Sequence, residues 1–103
     1  MDNDIRQILK LLKAKKVFWR GHAFRRMLER DIRKKEILGA LKNDDIIESY
    51  PDSLPYPAFL ILGFTEGKPL HIVCALSDDF LWIITVYRPD NKRWTNDFKT
   101  RKR

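Results

Sequence analysis

Residues 58–87, AFLILGFTEGKPLHIVCALSDDFLWIITVY, contain three apolar runs separated by two short polar turns. Apolar runs of this length, bounded by turn residues, are typical of β-strands. The runs cover residues 58–64, 70–76 and 80–87. Because turns this short join neighbouring strands that run in opposite directions, the stretch predicts an antiparallel meander.

The sequence before the meander predicts one more strand and three helices. DIIESY at 45–50 is interpreted as a strand, and the proline-rich segment 51–57 that follows it as a loop. Apolar residues recur at helical spacing over residues 2–15, about 22–30 and about 33–42. The period therefore changes from helical to extended along the chain.

Residues 17–21, VFWRG, interrupt the helical pattern and are interpreted as a turn. The predicted fold class is α+β, with N-terminal helices packed on a four-stranded antiparallel sheet. At 103 residues the chain suits one domain over 1–103. Its predicted parts are helices at about 2–42, a sheet at about 45–88 and a basic C-terminal tail at 89–103.

Charge is segregated along the chain, although the total is only +7. Residues 1–42 carry a net charge of +8, residues 43–87 carry −6 and residues 88–103 carry +5. Two basic ends around an acidic middle favour a polyanionic partner, although basic helices are also common as solvated faces.

The composition also bounds location and cofactors. No apolar run is long enough to span a membrane, and the acidic start MDNDIRQ lacks the apolar region of a signal peptide, so we expect a cytoplasmic protein with no membrane partner. Cys74 is the only cysteine, which excludes an intramolecular disulfide and a cysteine-based metal site. No Asp, Glu and His cluster has metal-ligand spacing, so neither a metal nor another cofactor is expected.

Alternation within the last two strands predicts which residues share a face. If Leu76 pairs near Phe80, His71 lies across from Thr85, with Tyr87 nearby. The same register places Leu70, Ile72 and Cys74 with Trp82, Ile84 and Val86 on the opposite face. A lone histidine in a strand is more often a hydrogen-bonded structural residue than a catalyst.

The segment GHAFRRMLERDI at 21–32 places His22, Arg26 and Arg30 at four-residue spacing on one side of a helix. The stripe is either a solvated face with an Arg–Glu pair or a phosphate-facing surface with an acid–base group at one end. Both interpretations are consistent with the sequence.

Several motifs occur together in order: HAFRRMLERDI, IIESYPDSLPYPAFLILGFTEGKPLHIVCAL and IITVYRPDNKRW. Over roughly residues 20–98 they resemble domain-of-unknown-function family 4258, a family similar to RelE/ParE-type toxins. The resemblance implies a RelE/ParE-like fold, a toxin role, and a cognate antitoxin of zinc-finger or helix-turn-helix type. Matched by position, the characteristic polar residues of the family that the resemblance implies are His22, Arg26, Arg30, His71, Thr85 and Tyr87. Trp94 is implied to have a structural role.

The leading hypothesis is a toxin-type, metal-independent endoribonuclease similar to mRNA interferases. RNA supplies its own nucleophile, the 2′-hydroxyl, so the protein needs acid–base groups and positive charge. His22 is the candidate base or acid, Arg26 and Arg30 hold the phosphate, and His71 or Tyr87 completes the pair. Thr85 and Trp94 are supporting residues.

The expected partner is RNA, including ribosome-bound mRNA. Salt-sensitive contacts to its backbone are expected from Arg25, Lys92, Arg93, Lys99 and Arg101. Three alternatives remain: a non-catalytic module that binds nucleic acid or the ribosome, a ParE-like toxin with a protein target, and an inactive relative.

Overall fold

Three helices and five strands make up the fold in the computed structural model, which describes residues 2–42 and 45–102. In chain order the elements are α1 (Asp2–Lys13), β1 (Val17–Trp19), α2 (Gly21–Arg30), α3 (Lys34–Lys42), β2 (Asp45–Tyr50), β3 (Ala58–Thr65), β4 (Lys68–Leu76) and β5 (Leu81–Tyr87). The predicted α+β class and the three helices are confirmed.

The sheet has five strands and is mixed, so the prediction of a four-stranded antiparallel sheet is wrong. Its order is β1-β5-β4-β3-β2, and β1 pairs with β5 in parallel, with Val17 opposite Leu81 and Trp19 opposite Ile83. The error lies at VFW, where the sequence predicts a turn and the structure has the strand β1. Three residues are too short to show alternation, and their partner strand lies some sixty positions along the chain.

The predicted pairing of His71 with Thr85 is also wrong, because β4 and β5 are offset from the expected register. His71 pairs with Tyr87, and Thr85 pairs with Val73. The turn is longer than expected, since β5 begins at Leu81 and not at Phe80. The two polar side chains, His71 and Tyr87, are therefore direct cross-strand neighbours on one face.

A β-bulge interrupts this ladder. The pair Val73–Thr85 is followed by the pair Cys74–Ile83, which leaves Ile84 without a partner residue. An extra residue shifts the alternation of its strand by one position. Leu81, Ile83 and Val86 consequently share a face, so the prediction that placed Trp82 and Ile84 on that face is wrong.

The three helices cover this face of the sheet, α1 and α2 on β5 and α3 on β3 and β4, and the core lies between the helices and the sheet. Fully buried residues of the core include Ile8, Ile37, Leu41, Ile72, Ile83 and Val86. Their burial supplies the main stabilising free energy, roughly 1.5–3 kcal/mol for each large aliphatic side chain. None of the helices in the described ranges is sufficiently long and apolar to cross a membrane.

The opposite face, which we call the open face, carries the C-terminal segment. Trp94 is 3% exposed and forms an antiparallel bridge with Arg101. Thr95 N–H donates to the carbonyl of Thr100 at 2.9 Å, so the segment turns back on itself. The basic tail is therefore a folded part of the domain.

Gly63 provides a test of this packing, because α3 lies directly against it. A Cβ at position 63 would lie 2.5 Å from Ala40 Cβ and 2.7 Å from Ala40 O. We expect Gly63→Ala to lower the free energy of unfolding by about 1–3 kcal/mol, measured by urea denaturation.

Gly39→Ala in α3 is the matched control, since nothing lies within 4 Å of its added Cβ. Because alanine favours a helix more than glycine does, this variant should be as stable as the wild type or up to about 1 kcal/mol more stable. Equal stability of Gly63→Ala and the wild type would contradict the close packing of α3 on β3.

Candidate functional site

A cavity of about 610 Å³ lies on the open face of the sheet, beside the C-terminal segment. Its lining includes Arg30, Tyr50, Val73, Tyr87, Arg93 and Arg101. Arginine and tyrosine predominate among the polar lining residues, which also include Asp90. Because the planar guanidinium fork matches the oxygens of phosphates and carboxylates, the cavity suits an anionic ligand.

His71 is fully buried next to the cavity and uses both ring nitrogens. Nε2 lies 2.8 Å from the carbonyl oxygen of Phe98, and Nδ1 lies 3.1 Å from the Tyr87 hydroxyl. A carbonyl oxygen only accepts, so Nε2 carries the hydrogen, and in the neutral ring Nδ1 accepts from the Tyr87 hydroxyl. Burial lowers the pKa of His71, while the bond to Phe98 acts against this. The ring is therefore mainly neutral at neutral pH.

Tyr87 lies between His71 and the cavity. Burial raises the pKa of its phenol, so the hydroxyl keeps its proton at neutral pH and donates it to His71 Nδ1. The two rings meet edge to face, with centroids 5.2 Å apart. The phenol oxygen is thus in contact with a buried base, and Tyr87 also lines the cavity.

The C-terminal segment fixes the position of His71. The ring of Trp94 lies at 87° to the imidazole, with centroids 4.4 Å apart. The guanidinium of Arg101 lies 4.7 Å from the Trp94 ring centroid, within the range of cation–π contacts. Trp94 and the Phe98 carbonyl together hold the histidine from the C-terminal side.

A second polar group on the cavity wall is formed by β2 and the C-terminal segment. Arg101 donates to both carboxylate oxygens of Glu48, at 2.9 and 3.1 Å, and the Tyr50 hydroxyl also donates to Glu48. The bond from Arg101 lowers the pKa of Glu48, so the carboxylate stays ionised. Its negative charge partly neutralises Arg101.

Arg30 reaches the cavity from the end of α2. The helix ends because Asp31 adopts a left-handed conformation, with φ of 54°, and its N–H caps the carbonyl of Met27. The guanidinium of Arg30 donates to the carbonyl of Val86 at 2.9 Å. Because β1 pairs with β5 only as far as Ile83, this part of the β5 edge is accessible to Arg30.

The structure brings some of the predicted site residues together. Arg30, Tyr87, Arg93 and Arg101 line the same cavity, and His71 contacts Tyr87 directly. Trp94 supports the imidazole.

The other predicted residues lie elsewhere. His22 and Arg25 are exposed on α2 outside the cavity lining, and Arg26 pairs with Glu29 at 2.7 Å. Of the stripe at four-residue spacing, only Arg30 lines the cavity.

The remaining predicted positions lie in β5 and in the C-terminal segment. Lys99 Nζ lies 3.0 Å from Asp45 Oδ2. The backbone amides of Lys92 and Arg93 donate to Asp90 Oδ1, and their side chains are exposed. Thr85 is half-buried and pairs with Val73.

Sequence analysis missed Glu48, Tyr50 and the Phe98 carbonyl. A signal for the first two exists, because period-two alternation in DIIESY places Glu48 and Tyr50 on one face of β2. No residue-type pattern indicates Phe98, since its contribution is a backbone carbonyl placed by the fold of the tail.

These observations define an α+β domain with an arginine-lined cavity next to a buried histidine–tyrosine pair. The model of the family described as domain of unknown function (DUF4258) matches residues 19–88, about two thirds of the chain. The chain therefore belongs to this family. Comparisons with curated proteins and with solved structures gave no match.

The matched range contains Arg30, His71 and Tyr87, whereas Trp94 and Phe98, which hold the imidazole, lie beyond it. In this chain the site is therefore completed by a segment outside the family match.

The buried histidine predicts how stability depends on pH. Because its pKa is lowered in the folded state, the unfolded chain binds the proton more tightly. The free energy of unfolding should therefore fall as pH decreases below the ordinary histidine value of 6.5, and the loss should level off below the folded-state pKa.

His71→Gln isolates this contribution, since the amide has both a donor and an acceptor but does not titrate. Urea unfolding from about pH 7.5 to about pH 5.5 should show a steeper loss in the wild type than in His71→Gln. Parallel curves for the two proteins would contradict the lowered pKa.

Proposed function

We propose that this protein is a metal-independent endoribonuclease of the toxin type, with its active site in the cavity on the open face. The observation that carries the proposal is the hydrogen-bonded pair of Tyr87 and His71 beside several guanidinium groups. RNA supplies the attacking 2′-hydroxyl, so the protein must remove a proton and stabilise negative charge. These residues are suited to both tasks.

In the proposed reaction, Tyr87 and His71 act together as the base. The Tyr87 oxygen takes the proton of the 2′-hydroxyl while its own proton passes to His71 Nδ1. The 2′-oxygen forms a bond to phosphorus, the bond from phosphorus to the 5′-oxygen breaks, and the 5′-oxygen takes a proton from water. His71 returns its proton to solvent through Tyr87. The products are a 2′,3′-cyclic phosphate and a 5′-hydroxyl.

The buried imidazolium formed in this reaction is stabilised by two groups. The Phe98 carbonyl accepts the hydrogen bond from Nε2, and the ionised Glu48 interacts favourably with the positive charge. Both partners stabilise the charged ring, while burial and the positive charge of Arg101 disfavour it. This fixed arrangement fits a base that is neutral at rest and protonated only transiently.

Arg30 and Arg93 are proposed to bind the phosphate. Both residues line the cavity, and charge-assisted hydrogen bonds to phosphate oxygens strengthen as negative charge develops in the transition state. Arg101 has a smaller role in charge stabilisation, because its guanidinium already holds Glu48.

The toxin role rests on the similarity of this family, whose motifs are quoted above, to RelE/ParE-type toxins. A cognate antitoxin of zinc-finger or helix-turn-helix type, and RNA bound on the ribosome, are part of the same proposal. A non-catalytic RNA-binding module is the second candidate, favoured by the same guanidinium groups, because phosphate binding alone needs no proton transfer.

Tyr87→Phe tests the proposed base. The variant keeps the aromatic ring but loses the hydroxyl, so single-turnover cleavage of RNA should be about a hundredfold slower or more, with little change in RNA affinity. Wild-type protein that binds RNA in a salt-sensitive way without cutting it would instead support the binding module.

His22→Ala distinguishes this assignment from the one expected from sequence. His22 is exposed and does not line the cavity, so cleavage by His22→Ala should stay close to the wild-type rate. If His22→Ala loses cleavage while Tyr87→Phe keeps it, proton transfer takes place on α2 and the proposed base is wrong.

The proposed chemistry also predicts resistance to chelators. Since arginines supply the positive charge, cleavage should continue in EDTA and yield fragments with 2′,3′-cyclic phosphate and 5′-hydroxyl ends, identified by end-labelling and mass spectrometry. Activity that disappears in EDTA and returns with Mg²⁺ would contradict the proposal.

A further inference from the structure

Stacked aromatic rings lie at the other end of the open face. Phe18 stacks on Trp82 with ring centroids 4.9 Å apart and planes at 18°, and Tyr56 lies nearly parallel to Trp82 at 6.1 Å. The rings of Phe80 and Phe18 meet edge to face, with centroids 4.7 Å apart. Phe18 and Tyr56 nevertheless remain 47% and 37% exposed. We call Phe18, Tyr56 and Trp82 the aromatic platform.

The platform is held in a fixed orientation. Trp82 Nε1 donates to Ser77 Oγ at 3.2 Å, which fixes the indole ring. The guanidinium of Arg20 lies 5.6 Å from the Trp82 ring centroid, so a positive charge accompanies the rings. Exposed rings in a fixed stack with an adjacent arginine are more specialised than a scattered apolar surface.

The platform and the cavity occupy the same face of the sheet because of the bulge. Trp82 and Tyr87 are five positions apart, which in a regular strand places them on opposite faces. The unpaired Ile84 shifts the alternation, so Trp82 opposes Ala75 and Tyr87 opposes His71 on one face of β4. The distance along β5 is about 16 Å, at about 3.3 Å per residue.

We propose that the aromatic platform binds the bases of single-stranded RNA whose backbone continues from the cavity; this rests on the proposed function and specifies its substrate class. Bases stack on aromatic rings without regard to sequence, and arginine contributes cation–π contact and charge. Paired bases in a duplex do not expose their faces, so the platform selects unpaired RNA.

Charges around the platform indicate the path of the RNA backbone across it. Asp78 and Asp79 are exposed in the turn between β4 and β5, at the end distant from the cavity, and disfavour phosphates there. Arg20 follows β1 on the other side of Trp82. The RNA backbone therefore passes on the Arg20 side as it approaches the cavity, whose lining includes Arg30 and Arg93.

The test uses a fluorescein-labelled 2′-O-methyl oligouridylate, in which methylation removes the nucleophile so that binding is measured without cleavage. We expect Phe18→Leu and Tyr56→Leu each to weaken binding about tenfold in fluorescence anisotropy, as expected for the loss of one stacked base. Because stacking carries no ionic contact, the salt dependence of binding should be unchanged. Circular dichroism confirms that each variant is folded.

Phe64→Leu is the matched control. Phe64 lies on β3 and is 54% exposed. It pairs with Pro69, whereas the platform lies near Ala58 at the other end of β3. Its replacement should therefore leave RNA binding unchanged. A dinucleotide, too short to extend from the cavity to the platform, should bind the wild type and Phe18→Leu equally.

The outcomes separate the platform from the nuclease. If the wild type binds RNA without cutting it, and both platform variants bind RNA more weakly than the wild type, the platform is supported and the cleavage proposal is rejected. Cleavage with unchanged KM in both variants would overturn the platform and leave the nuclease intact. Absence of oligouridylate binding by the wild type would also overturn the platform. So would equal affinity for single-stranded and duplex RNA together with unchanged affinity in both platform variants, and this result would indicate that the exposed rings contact a protein.

Discussion

The bulge at Ile84 determines what each face of the sheet presents. In β5 it places Leu81, Ile83 and Val86 against the helices, where all three are fully buried. The same shift places Trp82 and Tyr87 together on the open face. A regular strand would either bury Tyr87 in the core or expose part of the apolar set, so the core and the candidate site depend on one extra residue.

The buried histidine imposes a second constraint, because both of its nitrogens need partners. Tyr87 is supplied by the neighbouring strand, but the Phe98 carbonyl comes from the C-terminal segment. Leaving one buried nitrogen without a partner costs about 1–3 kcal/mol. Docking of the tail on the sheet and assembly of the acid–base pair are therefore coupled: the imidazole has its full set of hydrogen bonds only when the tail is folded over it.

The sequence contains much of the fold but less of the site. Apolar periodicity correctly indicated the helices and the meander, since burial sets those patterns residue by residue. It failed at β1 and at Ile84, because three residues show too little alternation and because a bulge depends on how two strands pair. The helix pattern 21–32 showed which side chains share a side of α2, yet only Arg30 turns to the cavity, where the end of β1 gives it access to Val86. Such proximity depends on where a distant strand ends, which local spacing does not encode.

Charge segregation along the chain has a structural consequence that the net charge conceals. The acidic middle and the basic tail partly neutralise each other, since Arg101 binds Glu48 and Lys99 binds Asp45 across the edge formed by β2. Surface pairs of this kind contribute little stability, but here they attach the tail to the sheet at two points. They also remove two cations from the set available to an anionic ligand. Arg88, another arginine of the lining, is held by Glu36 at 3.2 Å. The positive charge at the cavity therefore depends chiefly on Arg30 and Arg93, so the basic helix α2 and the basic tail each contribute a cation to the same cavity.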